Sequence, residues 1–379
     1  MISPSSSLAS TCNMLDLHIW GNGVEISEIS PESLACAWIL LLTVKQTRED
    51  VRIVTSCNTN LSSSGKLPIL IETKADGTRE RYEGFQRISE YLISSAVDVP
   101  QSTDFSLVSL KDSGDPEMEL AAYSLEAYIQ NNLYYINKHN LYMNSKNYEK
   151  YTRKLFGKYY PFPMMYNQPL WFYNQAQLET KTVHLASKKT GFLPQSLTTG
   201  NPQTEYFNDD LSDYETEKDE VALSSLHERQ ILNKSKKKEA LEESKNSLRC
   251  LHLLGVQIDQ ILQVYSSVGS TQDNLILPLF SRQLSSSEEA NTHRRVITTT
   301  EILLFAYIDC LCSPRLPDRF IWRFLNAKCP LFLKEATEVS EKLNALLLED
   351  TSLFRAPNGG EVPSLYNEIK YKLGFLSYS

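Results

Sequence analysis

The segment that most constrains the fold is SSSGKLPILIETKADGT at 62–78, where a proline stands directly before an apolar, β-branched run. Proline cannot donate a hydrogen bond to a neighbouring strand, so Pro68 is expected at the first residue of a strand or on a sheet edge. Its peptide bond with Leu67 is of the type that adopts the cis form at modest cost. Asp76 and Gly77 follow at the spacing of a hairpin turn, so 79–82 is the expected return strand.

The elements around this hairpin alternate between strand and helix. The pattern predicts strands over 15–20 and 51–55, a helix over 31–44 between them, and an amphipathic helix over 85–95 after the hairpin. Ser30 followed by Pro31 is a helix start, with serine as the cap and proline at the first helical position. A parallel strand–helix–strand unit, a proline and an antiparallel hairpin together predict a thioredoxin-like α/β domain.

The rest of the chain has longer helical patterns. The predicted organisation is a disordered tail (1–14), a thioredoxin-like domain (15–97), a linker (98–116), an all-α domain (117–355) and a C-terminal tail (356–379). Thr298 and Glu301 have the spacing of a capping box before an apolar helix.

One segment of the helical half stands apart by its charge. Residues 209–220 hold seven acids and 234–238 hold four lysines. The segment 194–247 is therefore predicted to be a disordered or weakly helical insertion. It is either a solvated charged region or a docking segment for a partner.

Composition excludes several classes of protein. A net charge of −8 argues against a nucleic-acid-binding surface as the main activity. The seven scattered cysteines form no CxxC motif and indicate a reducing compartment without a metal site. No targeting segment is recognised. The longest apolar runs, 34–44 and 302–312, fall short of the roughly 20 residues of a membrane-spanning helix.

A thioredoxin-like domain followed by a helical domain is the architecture of glutathione transferases, and the residues that such chemistry needs are missing. No cysteine lies at the start of the first helix, where a helix dipole would stabilise a thiolate. Ser30 could activate a thiol there but is more simply a cap. Where transferases carry an acid or glutamine followed by serine to grip glutathione, this chain has Glu83, Gly84 and Phe85. We expect no catalytic residue, cofactor or metal; the alternative is a glutathione-dependent enzyme with an atypical active site.

Several motifs carry a family resemblance. LHIWG at 17–21 opens the first domain, and the link from 56 to the proline strand is too short for the usual helix. YxxYT at 148–152 leads into KLF at 154–156 and YPFPMMYN at 160–167. Together these resemble the metaxin family, most closely its fungal members. The resemblance covers 15 to about 180 and continues by pattern through 298–348.

This resemblance implies a function without catalysis. It implies a subunit of the mitochondrial sorting and assembly machinery (SAM complex), on the cytosolic face of the mitochondrial outer membrane. The implied partners are a β-barrel core subunit, a second metaxin-like subunit, the TOM translocase and, transiently, β-barrel precursors, whose folding and release the subunit supports. Membrane association would be peripheral, through these partners.

A cluster of aromatic residues and methionines beside prolines is the candidate partner interface. Such side chains are enriched at the centres of protein interfaces. They either form an interface or fill an irregular part of the helical core. The cluster comprises Tyr159, Tyr160, Phe162, Met164, Met165, Tyr166 and Trp171.

Overall fold

The computed structural model describes residues 13–43, 50–95, 105–109, 116–186, 220–268 and 295–372. The predicted mixed α/β part, followed by a mostly helical remainder, is confirmed. The strands are β1 Met14–His18, β2 Gly21–Asn22, β3 Glu25–Ile26, β4 Val51–Val54, β5 Ile69–Thr73, β6 Arg79–Glu83, β7 Phe105–Val108, β8 Arg295–Thr298 and β9 Phe354–Arg355. The helices are α1 Pro31–Thr43, α2 Gly84–Ser94, α3 Pro116–Lys138, α4 Ser145–Asn147, α5 Arg153–Tyr159, α6 Met164–Thr182, α7 Glu220–Val268, α8 Thr299–Cys312, α9 Phe320–Lys328, α10 Pro330–Glu349 and α11 Leu365–Lys372.

A five-stranded sheet with the order β6-β5-β1-β4-β9 forms the centre of the N-terminal part. Strand β1 runs parallel to β4 and antiparallel to β5, with Leu17 opposite Ile53 on one side and Leu70 on the other. All three of these side chains are fully buried. The parallel connection from β1 to β4 passes through α1, as the alternation of strand and helix predicts.

Helix α1 joins the two parts of the molecule. Every one of its residues except Glu32 is buried, because the helix packs against α2 on one side and α8 on another. The Trp38 indole N–H donates to Asn344 Oδ1 of α10 at 3.0 Å, so its one polar atom is satisfied in the core. An evenly apolar helix is thus explained by burial on all faces.

The proline segment begins β5 as predicted, and the Leu67–Pro68 bond is cis. Gly77 forms the hairpin turn with a φ of +82°, a left-handed conformation that favours glycine. Strand β6 then pairs with β5 along its whole length. Gly84, with a φ of +78°, turns the chain into α2 and donates its N–H to the Pro68 carbonyl at 3.2 Å.

Helix α8 is the centre of the helical part and contacts α1, α3, α9 and α10. Its N-terminus carries the capping box: the Glu301 N–H donates to Thr298 Oγ1 at 3.2 Å, and the Thr298 N–H donates to Glu301 Oε2 at 2.6 Å. Both residues are buried. Solvent therefore cannot take over these hydrogen bonds.

The predicted linker at 98–116 is wrong in part. Residues Phe105–Val108 form β7, which pairs in parallel with β8. Helix α3 begins at Pro116. Four residues give too short a pattern to predict a strand, and the strand that pairs with them lies about 190 residues further along the chain.

The described part of the charged insertion, predicted to be disordered or weakly helical, is a helix. Residues 220–247 are the first part of α7, whereas 194–219 lie outside the described residues. Tertiary contacts anchor this helix: Glu243 accepts hydrogen bonds from the Ser145 N–H at 2.8 Å and from its hydroxyl at 2.7 Å. Composition shows the high charge of this segment but not its tertiary contacts. A prediction from composition therefore overestimates the disorder of residues 220–247.

The C-terminal tail and the domain boundary near 355 need correction as well. Strand β9 adds to the N-terminal sheet beside β4, so the chain returns to the first domain after the helices. Residues 356–372 continue into α11, and 373–379 lie outside the described residues, as do 1–12 of the predicted N-terminal tail. Among the described helices, none combines the length and the apolar character needed to cross a membrane.

Candidate partner-binding surface

The hydroxyl at the start of α1 is fully used within the chain. Ser30 Oγ accepts from the Ser33 N–H at 3.3 Å and from the Ser33 hydroxyl at 2.9 Å. It also donates to the Leu67 carbonyl at 3.3 Å, directly before the cis-proline. A hydroxyl has one donor hydrogen and two lone pairs. Ser30 therefore caps the helix and fastens it to the proline turn, which leaves no donor for a substrate thiol.

The carboxylate of Glu83 is occupied in the same way. It accepts from the Ser62 hydroxyl at 2.9 Å, from the Ser63 N–H at 2.7 Å and hydroxyl at 2.9 Å, and from the Ser64 N–H at 3.3 Å. Burial opposes ionisation, but these hydrogen bonds lower the pKa of Glu83. The acid at the end of β6 thus holds the serine-rich loop before Pro68.

Five of the six described cysteines are buried, and Cys329 is half-buried. Burial raises the pKa of Cys57 and of Cys312 to about 12, and that of Cys36 well above its usual value. A thiol needs a lowered pKa to act as a nucleophile at neutral pH. These three thiols therefore lack the lowered pKa of a nucleophilic cysteine.

Asp16, His18 and Glu361 form the one group of metal-ligand side chains found among the described residues. Arg355 lies against both acids, with Nη2 3.0 Å from Asp16 and Nη1 3.0 Å from Glu361. Burial lowers the pKa of His18 to about 4, so the imidazole is neutral at pH 7. The guanidinium already supplies the cation in this group, which serves to fasten the C-terminal segment to β1.

The predicted aromatic cluster lies at the corner between α5 and α6, and the structure divides it into an inner and an outer part. Tyr160 and Met164 are buried, which contradicts their prediction as interface residues. Tyr159 and Met165 are half-buried. The outer part consists of Phe162, Tyr166 and Trp171, which are 77%, 57% and 55% exposed.

The inner part belongs to the second core of the molecule. Trp20, which follows β1, contacts the rings of Tyr159 and Tyr160 at centroid distances of 6.0 and 6.3 Å. The Tyr160 hydroxyl donates to the Cys57 carbonyl at 3.3 Å. The inner half of the cluster thus fills the core against the sheet, whereas the outer half faces outward and stays a predicted interface.

Within the outer part, Trp171 packs against the buried core, and Phe162 and Tyr166 pack against each other. Trp171 packs edge-on against Phe172 at 4.7 Å, and Phe162 packs edge-on against Tyr166 at 6.1 Å. Phe172 in turn is buried and stacks on Phe156 at 5.2 Å. An aromatic side chain that is already held by packing, as Trp171 is, loses little conformational entropy when it binds.

Sequence reasoning missed the neighbour of this surface, which is α11. A groove of about 310 Å³ joins Trp171 and Gln168 of α6 to Pro363 and Glu368 of the C-terminal segment. Helix α11 exposes three large apolar side chains, Leu365, Tyr366 and Ile369. Tyr366 and Ile369 follow Leu365 by one and four residues. This helical spacing of apolar residues could have identified α11 from the sequence. We call the exposed residues of both elements the outer aromatic surface: Phe162, Tyr166, Trp171, Leu365, Tyr366 and Ile369.

Two family models match this chain. Residues 33–173 match Tom37, described as an outer mitochondrial membrane transport complex protein, and residues 207–376 match the Tom37 C-terminal domain. No curated protein matches the chain. The two matches belong to one family and cover both the sheet and the helical remainder, in agreement with the metaxin resemblance. The chain therefore belongs to the metaxin-like Tom37 family of outer mitochondrial membrane transport complex proteins.

Proposed function

We propose that this chain is a non-catalytic subunit of the mitochondrial sorting and assembly machinery that works by binding other proteins. It lies on the cytosolic face of the outer membrane, attached through its partners. Those partners are a β-barrel core subunit and a second metaxin-like subunit, with the TOM translocase as a further contact. The subunit supports insertion, folding and release of β-barrel precursors. Family membership supports the transport role.

The sheet order supports the glutathione-transferase-like part of this proposal. A parallel pair β1–β4, an antiparallel hairpin β5–β6 and a cis-proline before β5 are the features of a thioredoxin-like domain. The positions that a transferase would use hold the chain's own structure together. Ser30 binds Leu67, and Glu83 binds the loop at 62–64. A catalytic role would have to break both sets of contacts.

The outer aromatic surface is the observation that carries the proposal. Single exposed apolar residues are common, but a group of them on two elements that line one groove favours a binding site. Aromatic residues are also the side chains that contribute most to binding when an interface covers them. We infer that a partner subunit covers Phe162, Tyr166 and Trp171.

The experiment is recovery of the tagged protein from mitochondria in mild detergent, with mass spectrometry of the proteins that accompany it. We expect a β-barrel membrane protein and a second metaxin-like chain. The double variant Phe162→Ala/Trp171→Ala should recover less than about a tenth of them, since truncating a central aromatic costs about 2 kcal/mol or more. A matched control, Leu120→Ala/Leu331→Ala, removes two apolar side chains of similar exposure from α3 and α10 and should recover them fully.

Two results would contradict the proposal. A folded Phe162→Ala/Trp171→Ala variant that recovers both partners would remove this surface as an interface. A protein that is recovered alone and is retained on glutathione resin would favour the atypical transferase instead.

A further inference from the structure

A second concave site lies away from the outer aromatic surface. A cavity of about 520 Å³ opens between the loop from β3 to α1, the end of α8 with the loop after it, and the faces of α9 and α10. Pockets of this volume hold a small ligand or a few side chains of a partner. Its apolar wall includes Ile308, Trp322, Ala336 and Leu347.

The charges on the cavity wall do not balance. Four acids, Glu25, Glu28, Asp309 and Glu341, face two arginines. Arg315 lies 3.6 Å from Glu28 and 4.0 Å from Glu25, so it offsets one of the two negative charges next to the β3–α1 loop. When all six groups are ionised, four negative and two positive charges leave a net charge of −2. Asp309 and Glu341 supply two of the four negative charges, on the side of α8 and α10.

Glu28 is a structural group within this wall. It accepts hydrogen bonds from the Tyr151 hydroxyl and, at 3.0 Å, from the Ser313 hydroxyl. Asp309 accepts a hydrogen bond from the Asn344 side chain, and burial raises the pKa of Asp309 to about 6. It is therefore largely ionised at neutral pH. A buried carboxylate is stabilised when a cation approaches it.

Two buried polar atoms of the wall have no hydrogen-bond partner among the described residues. One is Oγ of Ser340, a residue that is only 1% exposed. The other is Nε of Arg319, whose guanidinium lies 4.4 Å from the centre of the Trp322 ring. Buried polar groups are nearly always hydrogen-bonded. Ser340 and Arg319 both line the cavity, so a ligand that reaches these two atoms would supply the missing donor and the missing acceptor.

We propose that this cavity binds the lysine side chain of a partner polypeptide. The ammonium group faces Asp309, Glu341 and Ser340, and the aliphatic stem lies along Trp322 and Leu347. An ammonium carries three donors and no acceptor, which suits two carboxylates and a hydroxyl spread over two helices. The choice of a polypeptide as the occupant rests on the proposed function, in which this chain works by binding proteins.

The open Arg319 Nε–H favours a peptide over a free amine. A peptide carbonyl beside the lysine would accept this hydrogen bond, whereas an alkyl diamine carries no acceptor once it is protonated. Both ligands share the alkylammonium group. Comparing the affinities of the peptide and the diamine therefore shows whether the cavity prefers the alkylammonium group of a polypeptide or that of a free amine.

The test uses the purified full-length chain and acetyl-alanyl-lysyl-alanyl-amide as the probe, with binding followed by calorimetry and by tryptophan fluorescence. We expect a dissociation constant of about 1 mM or tighter. The same peptide with norleucine in place of lysine should bind at least about tenfold more weakly, because it lacks the charged donor. Cadaverine should also bind at least about tenfold more weakly, because it leaves Arg319 Nε without an acceptor.

Two variants connect the binding to this cavity. Asp309→Asn keeps the size of the side chain and should weaken binding about tenfold or more. Glu341→Gln, at an exposed position, should weaken it about two- to fivefold. The matched control is Glu338→Gln on the same helix, where Glu338 pairs with Lys334 and does not line the cavity. It should leave the dissociation constant unchanged.

Three results would overturn the inference. These are equal binding of the lysine and norleucine peptides, equal binding of cadaverine and the lysine peptide, or equal effects of Glu341→Gln and Glu338→Gln. A melting curve of Asp309→Asn shows whether that variant is folded, and Glu341→Gln provides the test if it is not. Because no partner is present in this assay, its failure together with successful recovery of the complex would reject the lysine site alone.

Discussion

Removing the capping hydroxyl of α8 gives the sharpest test of how this fold is held together. Thr298→Ala leaves the Glu301 N–H without the acceptor that now lies 3.2 Å away. Both residues are buried under the α8 core, so water cannot replace Thr298 Oγ1. The substitution keeps the backbone and the reverse hydrogen bond from the Thr298 N–H to Glu301.

The expected loss follows from this geometry. Losing a side-chain cap costs about 0.5–2 kcal/mol, and burial of this cap places the loss at about 1–2 kcal/mol. Thr298→Ser is the matched control, because it removes the methyl group and retains the hydroxyl. Since α8 contacts α1, α3, α9 and α10, the loss should appear in the global unfolding transition and should not be confined to a local opening.

The assay is urea unfolding followed by circular dichroism, together with thermal melting. We expect Thr298→Ala to lower the free energy of unfolding by about 1 kcal/mol more than Thr298→Ser does. The melting temperature should fall by about 1–3 °C, because the entropy of unfolding of a chain of this length is large. Equal stability of the two variants would refute the argument, since the hydroxyl would then contribute nothing. A loss for Thr298→Ala confined to a separate, earlier transition would show that α8 is not the centre of one cooperative unit.

Two further predictions concern charged groups. Arg355→Gln leaves Asp16 and Glu361 without their cation, and the side chains of this group are only about one-fifth exposed. The substitution should therefore lower the free energy of unfolding, measured by urea titration, by about 1–3 kcal/mol. Arg323→Gln removes a pair that is 65% exposed on the arginine side and should change stability by less than about 0.5 kcal/mol; equal losses for the two variants would contradict the role given to Arg355. The second prediction concerns Asp309, whose pKa is raised by burial to about 6. Between about pH 4 and 6 the folded protein therefore keeps a proton on Asp309 that the unfolded chain releases. The wild type should therefore lose stability relative to Asp309→Asn as the pH rises through this window, by up to about 1.4 kcal/mol per pH unit in urea titrations, whereas parallel curves would show that Asp309 titrates normally.

Local patterns were enough to predict several elements because each has a short-range cause. Pro68 begins a strand because proline cannot donate within a sheet, and Thr298 begins a helix because its hydroxyl reaches the N–H three residues on. An evenly apolar segment such as 31–43 can only be stable when buried on all sides. The apolar runs and the hairpin spacing thus identified the sheet, the crossover helix and the central helix α8.

The candidate surface was only partly predictable, and the reason is geometric. The sequence shows that aromatic residues and methionines are concentrated at 159–171. It does not show that Tyr160 packs against Trp20 in the core or that Phe162 faces outward. The contribution of α11 depends on how the chain returns after β9, which no local pattern records. The cavity of about 520 Å³ combines Glu28 with Asp309 and Ser340, and these residues come from three different segments of the chain.

The sequence by itself determined the order of the early strands and helices, the start of α8, the absence of a transferase's thiol and anchor, and the family resemblance. Each of these depends on residues that are close along the chain. Tertiary structure alone decided that β7 pairs with β8, that 220–247 is helical, and that Arg355 fastens the C-terminal segment to β1. Those features depend on contacts between residues that are up to about 340 positions apart, and such contacts form only when the whole core brings the elements together.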